Sequence, residues 1–249
     1  MSRLIASEFL KLRTTKTAIA LIGSVLGIVV LISALATYTG DFDDDNFNAL
    51  DLLGISGFAQ LIALVLGILA VTTELRHGTI TPTLIASPDR VRVMGAKLVA
   101  NGLAGVLLGL VAAGVCTAIV LTGLSARDIP TGLESGDVVR VIIGQTVASA
   151  LWAALGVGLG ALIGNQVGAI VGALAWTFLL ENLLTIVPGL GDHVQKYGLN
   201  GASNALGNIE TAQTGDVLGQ VGGGLLFAAY ALAFIVAGTL LLRRRDITS

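Results

Sequence analysis

The sequence predicts an all-α membrane protein with six transmembrane helices, and three observations carry that prediction. First, five long stretches of the 249 residues contain no charged side chain: 17–40, 52–73, 98–126, 141–180 and 217–242, of 24, 22, 29, 40 and 26 residues. A bilayer core of ~30 Å is crossed by about 20 apolar helical residues, so four runs fit one crossing each and the longest fits two. Second, the composition is 54% hydrophobic and only 12% charged, where a soluble domain carries about 25%. Third, the runs do not alternate apolar and polar residues. This excludes the strands of a membrane barrel, the only other way to satisfy every backbone group in lipid. The expected architecture is a single transmembrane domain over 1–249. Its spans lie near 17–39, 52–73, 93–122, 138–163, 167–187 and 219–242. An N-terminal interfacial helix precedes them, and a short cytoplasmic helix lies between the second and third.

Each element has its own signal. In residues 2–16, Ile5, Phe9 and Leu12 recur at i, i+4 and i+7 on one face, with Arg3, Ser7 and Lys11 opposite. That pattern suits a helix in the membrane interface, its basic side toward anionic lipid or a partner. The same residues also read as a basic flank that only sets orientation. The first apolar run exceeds the ~7–15 residues of a secretory signal, so Ala34-Leu35-Ala36 reads as part of a span rather than a cleavage site. The loop after it carries Asp41, Asp43, Asp44 and Asp45. A calcium loop needs glycine sixth and glutamate twelfth, where Asn46 and Leu52 stand, so this is read as a solvated acidic loop.

After the second span, Thr81-Pro82 reads as an N-cap and first helical residue. Leu84 and Ile85 form an apolar face, and Ser87-Pro88-Asp89 repeats the start signal. A helix of one to two turns is expected there, exposing Ile80, Leu84 and Ile85, which calls for something to cover them. Within the 40-residue run, Gly164-Asn165-Gln166 sits where a tight turn should divide two spans. Gly156, Gly160, Gly164, Gly168 and Gly172 fall at four-residue steps, a small-residue ridge for close helix approach. Glu181 is the one acid embedded in a predicted span, with Asn182 beside it. If that helix starts near Val167, Glu181 lies about 14 residues, or ~21 Å, from the inner side. It reads either as a group facing the substrate path with Asn182 or as a structural acid bonded to a neighbouring helix. The stretch 188–220, with an apolar patch at 202–206, is too polar to span and is expected to fold back without crossing.

Eleven of the fourteen Lys and Arg lie before the first span, between the second and third, or after the last. Positive flanks stay inside, so both termini and segment 74–97 are expected to be cytoplasmic. A net charge of −2 leaves no basic surface for nucleic acid. His77 and His193 fall on opposite sides, which argues against a metal or catalytic cluster. None of the lysines follows glycine, so no Walker A loop cradles a phosphate. No enzymatic activity and no cofactor bound by this chain are expected.

Glu74-Leu-Arg-His-Gly-Thr-Ile at 74–80, Thr-Leu-Ile-Ala-Ser-Pro at 83–88 and the basic run to Lys97 resemble the coupling region of type-2 permeases of ATP-binding-cassette (ABC) exporters. Ser-Glu-Phe-Leu-Lys-Leu-Arg-Thr-Thr at 7–15 is similar to their interfacial elbow helix. Pro188-Gly189-Leu190 with 198–208 resembles their last outer loop. The resemblance implies a multi-pass subunit of the bacterial cytoplasmic membrane that pairs with a second permease copy or a homologous permease. A separate cytoplasmic ABC ATPase would bind the ATP-Mg. It further implies that a coupling helix docks on that ATPase through Thr79, Ile80, Thr81, Pro82, Thr83, Leu84 and Ile85, braced by Glu74, Arg76 and His77. The alternative is a secondary active transporter. Such carriers use broken helices and midplane polar groups; here Glu181 and Asn182 are the candidates.

Overall fold

The computed structural model describes residues 1–42, 48–79, 89–207 and 218–244. Among them all regular structure is helical, and six helices are long and apolar enough to cross a membrane. In chain order the helices are α1 Ser2–Thr14, α2 Lys16–Thr39, α3 Ala49–Arg76, α4 Arg90–Ala126, α5 Ser135–Ile163, α6 Gln166–Thr185, α7 Gly191–Tyr197, α8 Leu199–Gly207 and α9 Gln220–Arg244. The candidate spans are α2, α3, α4, α5, α6 and α9. The short helix expected over 80–88 and the acidic positions 43–47 lie outside the described residues.

Local chemistry sets the ends. Asp89 caps α4, its carboxylate accepting from the backbone N–H of Val91 (3.0 Å) and Arg92 (3.2 Å). The helix therefore starts at Arg90 and carries Lys97 into the bundle, with Arg92 left exposed beside Asp89, rather than beginning with the apolar run. A reciprocal cap between Glu134 and Asp137 opens α5. The α5–α6 turn forms at Gly164-Asn165. Gly164 takes φ +73°, a left-handed conformation suited to glycine, and Asn165 Oδ1 accepts from Gly168 N at 2.9 Å. At the other end of the bundle, Arg127 Nη1 donates to the carbonyls of Thr37 (2.8 Å) and Gly40 (2.9 Å), closing the last turn of α2.

The axis of the bundle is α5, which packs against α3, α4 and α9. In its most apolar window 56% of residues are buried, against 22% in α2, α6 and α9, which stand at the periphery. The close approach is built from glycine on both sides. A methyl at Gly67 would strike the Ala153 carbonyl, one at Gly156 the Leu64 carbonyl, and one at Gly238 the Gly158 carbonyl. The expected ridge is thus interrupted. Gly156 and Gly160 meet α3, Gly164 is consumed by the turn, and a side chain at Gly172 would meet nothing within 4 Å. The two spans carrying these glycines diverge after the turn, so one four-residue period does not stay in one interface.

Residues 188–207, after α6, fold back, as the composition of this stretch predicts. α7 and α8 form a helical hairpin against the end of the bundle where α5 starts. Ala202, Ser203 and Leu206 are buried, and α8 packs on α5 and α9. Gly144 and Gly223 leave room for its backbone.

Candidate functional site

Four charged side chains meet at the end of the bundle that holds α1. Glu8 projects from α1, Glu74 from the last turns of α3, and Lys97 from the first turns of α4. Lys97 is 1% exposed and Glu8 and Glu74 are 6% exposed. The Lys97 ammonium donates to both Glu8 oxygens at 3.2 Å and to the Ala70 carbonyl at 2.8 Å, and pairs with Glu74 Oε1 at 2.7 Å. Lys11 Nζ joins Glu8 Oε1 at 2.7 Å and bonds the same Glu74 oxygen. Two acids and two bases neutralise one another, which is the condition for burying charge. Desolvation opposes the charge on Lys11, but its hydrogen bonds to Glu74 and Glu8 and their attraction outweigh it, holding its pKa above the ordinary lysine value. The quartet pins α1 to the bases of α3 and α4.

The two faces of α1 divide as the pattern predicts, with Ile5, Phe9 and Leu12 half-buried and Arg3, Ser7 and Lys11 exposed, but the most buried residue of the inward face is Glu8. The Lys11 ammonium turns to the carboxylates rather than away from the protein. Lys97, read as a basic flank, is a core residue. The missed signal is spacing: Glu8 follows Leu4 and precedes Leu12 by one turn each, on the packing stripe itself.

Among the predicted coupling residues, Glu74 is buried in this quartet. Arg76 is exposed and its Nη1 lies 3.4 Å from Gln166 Oε1 of α6. His77 ends α3, its backbone N–H and ring Nδ1 both at the Thr73 carbonyl (3.1 and 2.9 Å). Thr79 is exposed. Ile80, Thr81, Pro82, Thr83, Leu84 and Ile85 lie outside the described residues. Arg90 Nη1 donates to the Leu242 carbonyl and, at 3.3 Å, to that of Arg243. The start of α4, the end of α3, α1 and the end of α9 thus share one end of the molecule.

Glu181 and Asn182 diverge. Glu181 is 4% exposed, and its Oε1 accepts from the backbone N–H of Asn200 at 2.7 Å, at the start of α8. Asn182 is exposed and its amide donates to the Phe178 carbonyl at 2.9 Å. Between them and the first half of α6 lies a π turn, Trp176–Leu180. The Thr177 carbonyl within it accepts from Asn200 Nδ2 at 2.7 Å. The carboxylate and this carbonyl together hold the start of α8, an acid at a helix N-terminus.

Deeper in the hairpin, a neutral polar chain crosses the bundle. Trp152 Nε1 donates to Ser203 Oγ (2.8 Å), Ser203 Oγ to Gln60 Oε1 (3.0 Å), and Gln60 Nε2 to Gln145 Oε1 (2.7 Å). All four residues are at most 9% exposed. Gln60 and Gln145 fall in apolar runs and carry no sequence signal of partnership, because they are 85 residues apart. Compared with known proteins, the chain matches no family model and no curated protein.

Proposed function

We propose that this chain is the permease subunit of an ABC exporter, working as a pair with a second permease and driven by a separate cytoplasmic ATPase. The observation that carries the reading is the buried quartet. It binds the helix before the first span to the bases of the second and third, beside the segment whose residues resemble a coupling region. A push on segment 79–85 by a closing ATPase pair would be delivered to α3 and α4, and α1 would move with them through Glu8. The basic asymmetry orients that end toward the cytoplasm. Glu181 and Asn182 are the substrate-path candidates, with Glu181 acting through the position of the outer hairpin.

The test is copurification with an untagged ATPase co-expressed from the neighbouring gene. The wild-type chain is expected to retain the ATPase. Leu84→Asp is expected to insert normally and release it, because an unpaired charge is costly in an apolar contact. Equal ATPase retention and transport by Leu84→Asp would rule out docking through this face. One observation favours a second reading: Glu181 is buried in a span whose regular winding is interrupted by a π turn, and interrupted spans with polar groups are what ion-coupled carriers use. Transport into vesicles that lack any ATPase, driven by an ion gradient and abolished by Glu181→Gln, would establish that reading instead.

A further inference from the structure

Helix α9 is fastened near both of its ends and lightly held between them. At the end of the bundle that holds α1, Asp89 caps α4, so Arg90 opens that helix and its guanidinium reaches across to α9. It donates to the carbonyl of Leu242 and, at 3.3 Å, to that of Arg243, in the last turn of α9. Carbonyls at a helix end have no partner within their own helix, and a cation suits that negative end. Leu242 itself is 2% exposed and packs among Val71, Met94, Val157 and Ala161. At the hairpin end α9 is the donor. Gln220 Nε2 reaches the Leu206 carbonyl at 3.0 Å, and Tyr230 Oη reaches the Tyr197 carbonyl at 2.7 Å. These belong to the last turns of α8 and α7. A methyl at Gly223 would strike the Ala205 side chain and the Ala202 carbonyl, so α8 lies directly on α9.

Between these clamps the helix touches the bundle along one stripe. Phe227 sets its ring edge-on to Trp152 of α5, and Gly238 lies against the Gly158 carbonyl. Leu225, Leu232, Val236 and Leu240 on its other sides are exposed. At the Gly158–Gly238 contact no side chain interlocks to stop axial slip. The 25 residues wind as one regular helix of about 37 Å, with no proline to bend it.

We propose that α9 is a tie rod: displacing the start of α4 shifts α9 along α5 and changes how firmly it holds the α7–α8 hairpin at the opposite end. The start of α4 and the hairpin then share one equilibrium, and whatever moves one biases the other. Arg90 is the positioning residue of this link. The tie goes beyond the permease reading and needs neither an ATPase nor a substrate.

The test is hydrogen–deuterium exchange of the full chain in nanodiscs, which reads local opening segment by segment. Arg90→Met is expected to speed exchange of residues 191–207 about tenfold, the factor that one charge-assisted hydrogen bond carries. Exchange within α5 should stay as it is. Arg92→Met alters the same turn of α4, but Arg92 pairs with Asp89 at 3.0 Å, so the hairpin is expected to exchange as in the unaltered protein. Coupling is reciprocal. Tyr230→Phe keeps the ring and removes one neutral hydrogen bond, and is expected to speed exchange at Val91 and Val93 about fivefold. Unchanged hairpin exchange in folded Arg90→Met overturns the tie. So does an equal rise with Arg92→Met, or an equal rise within α5, which would mark general loosening. Where Arg90→Met yields no folded protein, Tyr230→Phe decides alone, and an unchanged start of α4 in that variant overturns the tie as well.

Discussion

The two ends of the molecule bury polar groups in opposite ways. At the end that holds α1, two carboxylates and two ammonium groups are driven together and neutralise one another. At the hairpin end, Trp152, Ser203, Gln60 and Gln145 pass hydrogen bonds along a chain with no net charge. The difference follows from reach. Lysine and glutamate stems from α1, α3 and α4 converge near the ends of their helices, where charge is least expensive. The neutral chain lies farther into the apolar runs, where an unpaired charge costs most and amide or hydroxyl groups cost less. Consequently the charged end is strong only while its buried members, Glu8, Glu74 and Lys97, are all present, whereas the neutral end loses stability in small steps.

Removing the fully buried lysine of the quartet gives the largest expected effect. Lys97→Met leaves Glu8 and Glu74 buried with only Lys11 to offset them, and is expected to cost about 3–5 kcal/mol. Detergent-stable yield and thermal unfolding measure it. Glu8→Leu combined with Lys97→Met removes one charge of each sign, leaves Lys11 with Glu74, and is expected to recover most of the loss. A double variant as unstable as the single one would break the account of the quartet as a neutralised set.

Ser203→Ala tests the neutral end. It strands the Trp152 N–H and a Gln60 oxygen, at an expected cost of about 1–2 kcal/mol, since interhelical hydrogen bonds in membranes average about 0.6 kcal/mol each and reach about 1.7. Near-UV circular dichroism of the Trp152 environment and protease sensitivity of the 188–207 hairpin should change together. An unchanged hairpin would separate the chain from hairpin docking.

Glu181→Gln keeps an acceptor for the Asn200 N–H and is expected to preserve folded yield, whereas Glu181→Leu is expected to lose about 1 kcal/mol and loosen the same hairpin. Equal behaviour of the two would remove Glu181 from the support of α8.

The smallest effect is a pH dependence confined to the charged end. Lys11 titrates above its ordinary value of 10.5 in the folded chain. Its contribution is therefore complete below the unfolded pKa and is lost as pH rises through the higher folded value. Lys11 is half exposed, so Lys11→Met is expected to cost under ~1 kcal/mol at pH 8. The gap from wild type should narrow as the pH is raised past 10.5. Ser203→Ala should show no such narrowing. A constant Lys11→Met gap up to pH 12 would sharpen the comparison against a charge role for Lys11.

Much of the fold was legible because lipid imposes it. Uncharged run length located the spans, and Gly164-Asn165 announced the turn through residue types that tolerate it. The hairpin was legible as a stretch too polar to cross. The sites were less so. Glu8 and Lys97 each look like a surface charge in sequence, and their pairing depends on helix rotation that no local pattern encodes. Gln60 and Gln145 are invisible for the same reason. Glu181 was singled out by its setting, but nothing near it announced that Asn200 of the returning helix would be its partner.

The π turn in α6 holds one residue more than a regular helix would need at that height. Deleting a single position within 176–180 would restore the ordinary winding and leave Glu181 at its height, still facing the Asn200 N–H. What the extra residue serves is therefore a backbone acceptor and not the acid: the Thr177 carbonyl, inside the widened turn, meets Asn200 Nδ2. The span thus grips the returning helix twice, once through a side chain that any winding would present and once through a main-chain oxygen that only the widened turn presents.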